Sequence, residues 1–80
     1  MVALNRAVAV AMAESPERGL AEIEAIEGLD DYSHLHSARG DLLQRAGRRD
    51  EARTAFQRAL ELAISPVERS FLERRISDAG

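Results

Sequence analysis

His34 and His36 are the side chains best suited to binding a metal ion, and they are the only two histidines. Two residues apart on a helix, they point about 200° away from each other. A chelating pair needs a spacing of three or four residues instead. Asp30 and Asp31 lie nearby in the sequence, so a metal site that includes their carboxylates is the alternative interpretation. The favoured interpretation is one surface histidine and one partly packed histidine, without a metal.

Nucleophilic catalysis has little support in the sequence. The chain has no cysteine, and none of its serines follows a glycine-rich turn or stands at a recognisable spacing from a general base. A glycine-rich phosphate loop is also absent from the sequence. Asp30 and Asp31 are better explained as caps at the start of a helix. We therefore predict a protein that is not an enzyme and that has no cofactor.

Arginine supplies all of the positive charge, and 11 basic residues against 14 acidic ones give a net charge of −3. One arginine cluster surrounds a predicted turn and consists of Arg45, Arg48, Arg49 and Arg53. Asp50 and Glu51 interrupt this cluster, and no aromatic side chain stands among the arginines to stack on bases. We predict no direct nucleic-acid binding. The Arg74 and Arg75 pair is expected to lie on a solvated helix face.

Length and composition indicate one small domain. The chain has 80 residues, of which 45% are hydrophobic and only 4% aromatic, so its core must come from aliphatic and alanine side chains. Closely packed helices suit this composition better than a sheet sandwich. No apolar run reaches the roughly 18 residues of a membrane span, and the apolar residues 1–13 lack the basic start of a signal peptide. We predict a cytoplasmic protein without membrane contact.

Apolar spacing and capping residues predict an all-α fold of five helices. Ser15 before a proline signals one helix start, and Ser65 with Glu68 matches a capping box at another. Gly28 is expected to end the second helix in a left-handed conformation, and Asp50 to cap the fourth. The predicted helices are residues 2–13, 16–27, 32–46, 50–63 and one that begins at about residue 65.

Short connections between the predicted helices make sequence neighbours antiparallel. The helices therefore form two hairpins followed by a closing helix. Shifting the sequence by 33 residues lays the first hairpin on the second. Small residues then mostly fall on small ones and large on large, as in the pairs Ala7 with Gly40, Val10 with Leu43, Gly19 with Ala52, and Ile23 with Phe56.

A period of 33 to 34 residues with two helices per unit is typical of the tetratricopeptide repeat (TPR). The second hairpin resembles that family at Gly40, Leu43, Gly47, Ala52, Phe56, Ala59 and Leu60. Gly40 and Ala52 are the small residues that let the two helices approach closely. The departures from the family pattern are a histidine, an arginine and a late proline, at His36, Arg39 and Pro66.

The TPR resemblance implies a binding surface, because the first helix of each hairpin lines the concave side of such arrays. The protein-interaction residues implied in this way are Leu4, Val8, His34, Ser37, Asp41 and Gln44. The surface lacks the lysine and asparagine pairs with which carboxylate-clamp TPR domains hold chain ends. With only two hairpins, we expect a shallow docking surface rather than a deep pocket.

Residues 4–11, 42–48 with 50–52, and 68–76 carry a narrower resemblance. They are similar to the C-terminal TPR-like extension of a group of bacterial extracytoplasmic-function (ECF) RNA polymerase sigma factors. This resemblance implies one non-catalytic TPR-like domain over residues 1–80, as the C-terminal fragment of a longer protein that regulates transcription initiation. The implied partners are the upstream regions of the same sigma factor or RNA polymerase. The alternative is a TPR-like adaptor domain of an unrelated bacterial protein.

The first predicted helix is apolar round most of its circumference, and such a helix is normally buried on several sides. Met1, Leu4, Val8 and Met12 are therefore expected to form an exposed apolar patch, which usually marks a missing partner surface. We predict that the isolated domain either forms a homodimer through this helix or docks it onto the upstream part of the protein.

Arg6 and Arg39 fall on each other in the 33-residue shift, where the TPR pattern usually has leucine. A buried guanidinium needs an oxygen acceptor. We therefore predict that one or both of these structural arginines bridge adjacent helices, with candidate acceptors Glu17, Glu22, Glu24 and Asp41.

Overall fold

The computed structural model describes residues 2–79, and within that range it contains helices and no strand. The five helices are α1 Val2–Ala13, α2 Pro16–Glu24, α3 Ser33–Arg45, α4 Arg49–Leu62 and α5 Pro66–Ala79. The predicted all-α fold with five helices is confirmed.

Successive helices pack together as hairpins. α1 packs on α2, and α3 packs on α4. Because only residues 14–15 and 46–48 connect the two pairs, the helices in each hairpin are antiparallel. α3 also contacts α1 and α2, which joins the hairpins, and α5 packs on α4. The predicted order of two hairpins and a closing helix is therefore confirmed.

Side chains from all five helices form one core. α1 and α2 contribute mainly aliphatic residues, among them Leu4, Ala7, Leu20 and Ile23. The largest side chains that are fully buried lie in the other three helices and are Phe56, Leu42, Leu43 and Leu72. Burial of each of these is worth about 1.5 to 3 kcal/mol, so the second hairpin and α5 hold the largest buried side chains.

Two glycines permit close contact between helices. A Cβ atom on Gly19 would overlap the Cβ of Ala11 and lie 2.8 Å from the carbonyl oxygen of Ala7. A Cβ atom on Gly40 would lie 2.7 Å from the ring of Phe56. Ala52, the small residue expected to matter beside Gly40, is fully buried, but the atoms that crowd Gly40 belong to Phe56.

The serine signals predict two helix starts correctly. The amide of Arg18 donates to Oγ of Ser15 at 3.2 Å, which caps α2. At α5, the amide of Glu68 lies 3.5 Å from Oγ of Ser65. The carboxylate of Glu68 accepts a hydrogen bond from the Ser33 hydroxyl. Glu68 thus links α5 to the start of α3, a contact that the capping-box prediction missed.

The bounds of α1 agree with the predicted residues 2–13, those of α3 and α4 differ from prediction by one residue at each end, and the end of α2 differs most. α2 ends at Glu24, three residues early, because the amides of Ala25 and Ile26 bond only three residues back and the half-buried Ile26 turns into the core. Gly28 does have a left-handed φ of 83°, but it lies beyond the helix end.

The aspartates predicted as caps do not occupy the cap positions. The residue preceding α3 is Tyr32, which makes no side-chain cap, so Asp30 and Asp31 do not cap that helix. The residue preceding α4 is Arg48, and Asp50 lies in the first helical turn. There its charge still favours the positive end of the helix.

Candidate interaction groove

A concave groove runs between α1, α3 and α5, and its cavity has a volume of about 510 Å³. It combines apolar side chains with polar and charged ones, as protein-binding surfaces do. The lining residues are Leu4, Asn5 and Val8 of α1, Tyr32, His34, Ser37, Ala38 and Asp41 at or in α3, Phe56 of α4, and Phe71 and Arg75 of α5.

The groove brings together five of the six side chains that the TPR resemblance assigned to protein interaction: Leu4, Val8, His34, Ser37 and Asp41. Gln44, the sixth, does not line the groove, but its side-chain oxygen accepts a hydrogen bond from Arg75, which does. Leu4 is buried and Val8 is half-buried, so these two contribute apolar support more than exposed contact area. Their part in binding a partner stays a prediction.

Arg75 was expected on a solvated helix face, and this expectation is wrong. Its Nη2 donates to Oδ1 of Asp41 and to Oε1 of Gln44, each at 2.7 Å. Its Cζ lies 5.1 Å from the ring centre of Phe56 and 5.9 Å from that of Phe71. The guanidinium therefore combines charge-assisted hydrogen bonds with cation–π contacts.

The sequence did contain a signal for this position. Leu72, Arg75 and Ile76 are spaced by three and four residues, which places Arg75 on the same face of α5 as two apolar side chains. Leu72 is fully buried and Ile76 packs against the core. An arginine at such a position must lie along the domain surface rather than point into solvent.

Asp41 balances two arginines. In addition to the contact with Arg75, its Oδ2 lies 3.1 Å from Nε of Arg45, one turn further along α3. Two guanidinium groups thus share one carboxylate at the edge of the groove. The three side chains together carry one net positive charge.

Comparison with known proteins identifies the fold family. All of residues 1–80 match the family described as the Tetratricopeptide repeat-like domain. The chain belongs to the tetratricopeptide repeat-like family. A protein of Rhizobium meliloti (strain 1021), described as uncharacterized, is 46% identical over 77 residues, which cover 95% of this chain and 18% of that protein. The chain thus spans less than a fifth of the length of this relative. No solved structure matches the chain.

The apolar patch expected on the first helix of this TPR-like domain is formed only in part, with Val8 half-buried. Leu4 is only 7% exposed because α1 packs against both α2 and α3, although Met12 is 63% exposed. Met1 lies outside the described residues. The large exposed apolar side chains lie instead mostly beside or on α5: Ile64, Val67 and Phe71. A homodimer of the domain stays a prediction, and the patch that motivated it is smaller than expected because Leu4 is buried.

The two structural arginines differ. Nε of Arg39 lies 3.1 Å from Oε1 of Glu24, so it bridges α3 to α2 through one of the predicted acceptors, and its side chain is half-buried. Arg6 is exposed, and no ion pair of Arg6 is found among residues 2–79. The expectation of burial is therefore wrong for Arg6. The stabilising role of Arg39 stays a prediction.

Carboxylates neutralise part of the arginine cluster at the turn between α3 and α4. Arg45 pairs with Asp41, whereas Arg48 pairs with Glu51 at 2.6 Å and with Glu17 of α2 at 3.5 Å. The hydrogen bond to Glu51 raises the pKa of the Arg48 guanidinium above its ordinary value. These pairs are intramolecular and favour a structural part for the cluster over phosphate binding.

The two histidines make different local contacts. The ring of His34 stands edge-to-face against Tyr32, with ring centres 5.2 Å apart. Nε2 of His36 lies 2.6 Å from the carbonyl oxygen of Asp30. Across the part of the chain that the structure describes, no three histidine or acidic side chains gather as a metal site would require.

Within residues 2–79, none of the helices has the length and apolar character to cross a membrane.

Proposed function

We propose that this TPR-like domain is a non-catalytic protein-interaction module. Its concave groove binds a short peptide segment, either from another region of the same protein or from a partner protein. The observation that supports the proposal is the convergence of Val8, Ser37 and Asp41, from two different helices, on one cavity of about 510 Å³. A cavity of that size, lined by α1, α3 and α5, accommodates a short segment of side chains rather than a whole domain surface.

The finer proposal is that the domain belongs to an ECF-type sigma factor. It rests on the sequence resemblance of residues 4–11, 42–48 with 50–52, and 68–76 to the C-terminal extension of that group. The groove would then bind an upstream region of the same sigma factor, or RNA polymerase, and so modulate transcription initiation in the cytoplasm.

The alternative proposal is a TPR-like adaptor domain in an unrelated bacterial protein. The two differ in what precedes the domain in its coding sequence. Regions that bind polymerase and read promoters, encoded directly upstream in the same reading frame, support the sigma-factor proposal. Their absence there contradicts it and favours the adaptor.

Groove binding itself is tested with a matched pair of variants. Ser37→Arg places a large cation in the groove, whereas Gln57→Arg makes the same charge change on an exposed position of α4 outside it. Binding of the 80-residue chain to the separately purified upstream region and to core RNA polymerase is measured by calorimetry. We expect Ser37→Arg to weaken binding at least about tenfold, which corresponds to 1.4 kcal/mol, and Gln57→Arg to leave it unchanged. Equal effects would contradict groove binding.

A further inference from the structure

We infer that Asp41, Gln44, Phe56 and Phe71 form an arginine-binding site at one end of the groove, which Arg75 occupies in the free domain. We further infer that the bound partner segment presents an arginine that takes the place of Arg75. The second step rests on the proposed function. The first does not, since it concerns only side chains of this chain.

The geometry of the site suits a guanidinium. Two oxygen acceptors, on Asp41 and Gln44, lie 2.7 Å from one nitrogen of the occupant, one turn apart on α3. Two aromatic rings contact the same group, with centroids 5.1 and 5.9 Å from its central carbon. A planar guanidinium can stack on a ring while its N–H groups donate in a fixed fork, whereas the ammonium of lysine is a compact, strongly hydrated point charge that is attracted to a ring without stacking on it.

Arg75 fills the site incompletely, which makes it replaceable. Its Nε is buried, and no acceptor for that nitrogen is found among residues 2–79. Leaving a buried donor without an acceptor costs free energy that another arginine, approaching from a different direction, can avoid. The side chain of Arg75 is also 27% exposed, so it has an open path to solvent.

Exchange does not require α5 to leave the domain. α5 is held by the fully buried Leu72 and by Arg69, which donates to the carbonyl oxygen of Leu60 at 3.0 Å at the end of α4. Neither contact involves Arg75. Rotation of the Arg75 side chain therefore empties the site while the helix stays packed. The site then opens on the groove, because Asp41, Phe56 and Phe71 line that cavity.

Chemical rescue of the full chain tests the site directly. Arg75→Ala removes the occupant, and ethylguanidinium chloride at millimolar concentration is the probe, with ethylammonium chloride at equal ionic strength as the control salt. Binding is followed through the NMR signals of the Gln44 side-chain amide. We expect saturable shifts with ethylguanidinium that are at least about fivefold weaker with ethylammonium and lost in the Arg75→Ala, Asp41→Asn double variant.

Matched variants keep this test interpretable. Arg74→Ala removes the neighbouring, exposed arginine of α5 and should bind ethylguanidinium no better than the unchanged chain does. Arg75→Gln serves as a second emptied variant if Arg75→Ala does not fold. Equal responses to the two salts, or no saturable response in a folded emptied variant, would overturn the arginine-binding site.

Partner binding tests the exchange. Using the upstream region or polymerase as the binding probe, we expect Arg75→Ala to bind it several-fold more tightly than the unchanged chain, and Asp41→Asn to bind it more weakly. Weaker binding by Arg75→Ala would mean that Arg75 itself contacts the partner, which overturns the exchange. Successful rescue without any partner binding would support the site but overturn both the exchange and the proposed function.

Discussion

The two hairpins achieve the same close packing with opposite distributions of small residues. In the first hairpin the glycine is Gly19 on the second helix, and it faces Ala7 and Ala11 of the first helix. In the second hairpin the glycine is Gly40 on the first helix, and it faces the ring of Phe56 on the second helix. The 33-residue shift matches Gly40 with Ala7 and Gly19 with Ala52, so the two glycines lie on opposite helices of their hairpins.

The difference shows which packing feature the two hairpins share. Each hairpin needs one position without a side chain so that two helices can approach, but either helix can supply it. What fills the adjoining space then differs: a pair of alanines and Ile23 in the first hairpin, and a phenylalanine in the second. The first hairpin thus depends on backbone proximity, and the second on one large buried ring.

The largest expected effect comes from removing that ring. Phe56→Ala should lower the free energy of unfolding by about 3 to 5 kcal/mol, because the side chain is only 1% exposed and its loss leaves a cavity. Ile23→Ala, at the equivalent position, should cost less, near the lower end of about 2 to 5 kcal/mol. Ile23 lies next to the last residue of α2, where the helix end can relax into the space.

Urea unfolding followed by circular dichroism at 222 nm measures both variants. A domain of this size has a total stability of about 5 to 15 kcal/mol, so Phe56→Ala is expected to remove a large fraction of that stability and to shift the unfolding midpoint to a much lower urea concentration. A larger loss for Ile23→Ala than for Phe56→Ala would contradict the view that the second hairpin depends on one large buried ring more than the first depends on any single side chain.

A smaller effect is expected from adding a methyl group at each glycine. Gly19→Ala and Gly40→Ala should each destabilise the domain by about 1 to 3 kcal/mol through overpacking, even though alanine has the higher helix propensity. Gly19→Ala should cost more, because the atoms in the way include the backbone oxygen of Ala7, which cannot rotate aside.

A second substitution distinguishes the steric conflict at Gly40 from the one at Gly19. Phe56→Leu removes the ring atoms that a Cβ on Gly40 would meet, so combining it with Gly40→Ala should cost less than the sum of the two single changes. Combined with Gly19→Ala, the same Phe56→Leu change should be additive. Rescue of both glycine variants, or of neither, would show that the two hairpins do not pack in the different ways described here.

Much of this fold was predictable from the sequence because its signals are local. Helix periodicity, the Ser15 cap and the 33-residue repeat depend on residues close in the chain or on matched spacing. The end of α2 was not predictable in this way. It is set by the half-buried Ile26 and Leu29, which pack against the core and so direct the chain out of the helix.

The candidate groove was predictable only in part, for a similar reason. Repeat geometry places α1 and α3 on one side, so Val8, Ser37 and Asp41 could be assigned from the TPR resemblance. The position of α5 depends on long-range packing of Leu72 and on the contact of Glu68 with Ser33. The contribution of Arg75 therefore escaped prediction, although its spacing from Leu72 contained the signal.

The smallest expected effect concerns the two arginines at equivalent positions, Arg6 and Arg39. Arg39 pairs with Glu24 across α3 and α2, but the glutamate is 62% exposed, so water and salt weaken the attraction. Arg39→Ala should therefore lower the free energy of unfolding by less than about 1 kcal/mol. Arg6→Ala, at an exposed position, should have no measurable effect.

A double-mutant cycle with Glu24→Gln isolates the pair from the loss of the arginine side chain itself. The coupling between Arg39 and Glu24 should shrink when the salt concentration is raised from 0.05 to about 0.5 M, since the Debye length falls well below 10 Å. A melting temperature unchanged by Arg39→Ala would contradict a structural role for this arginine. In that case both hairpins would tolerate any long polar side chain at this position, and the leucine of the TPR pattern would have been replaced without a compensating ion pair.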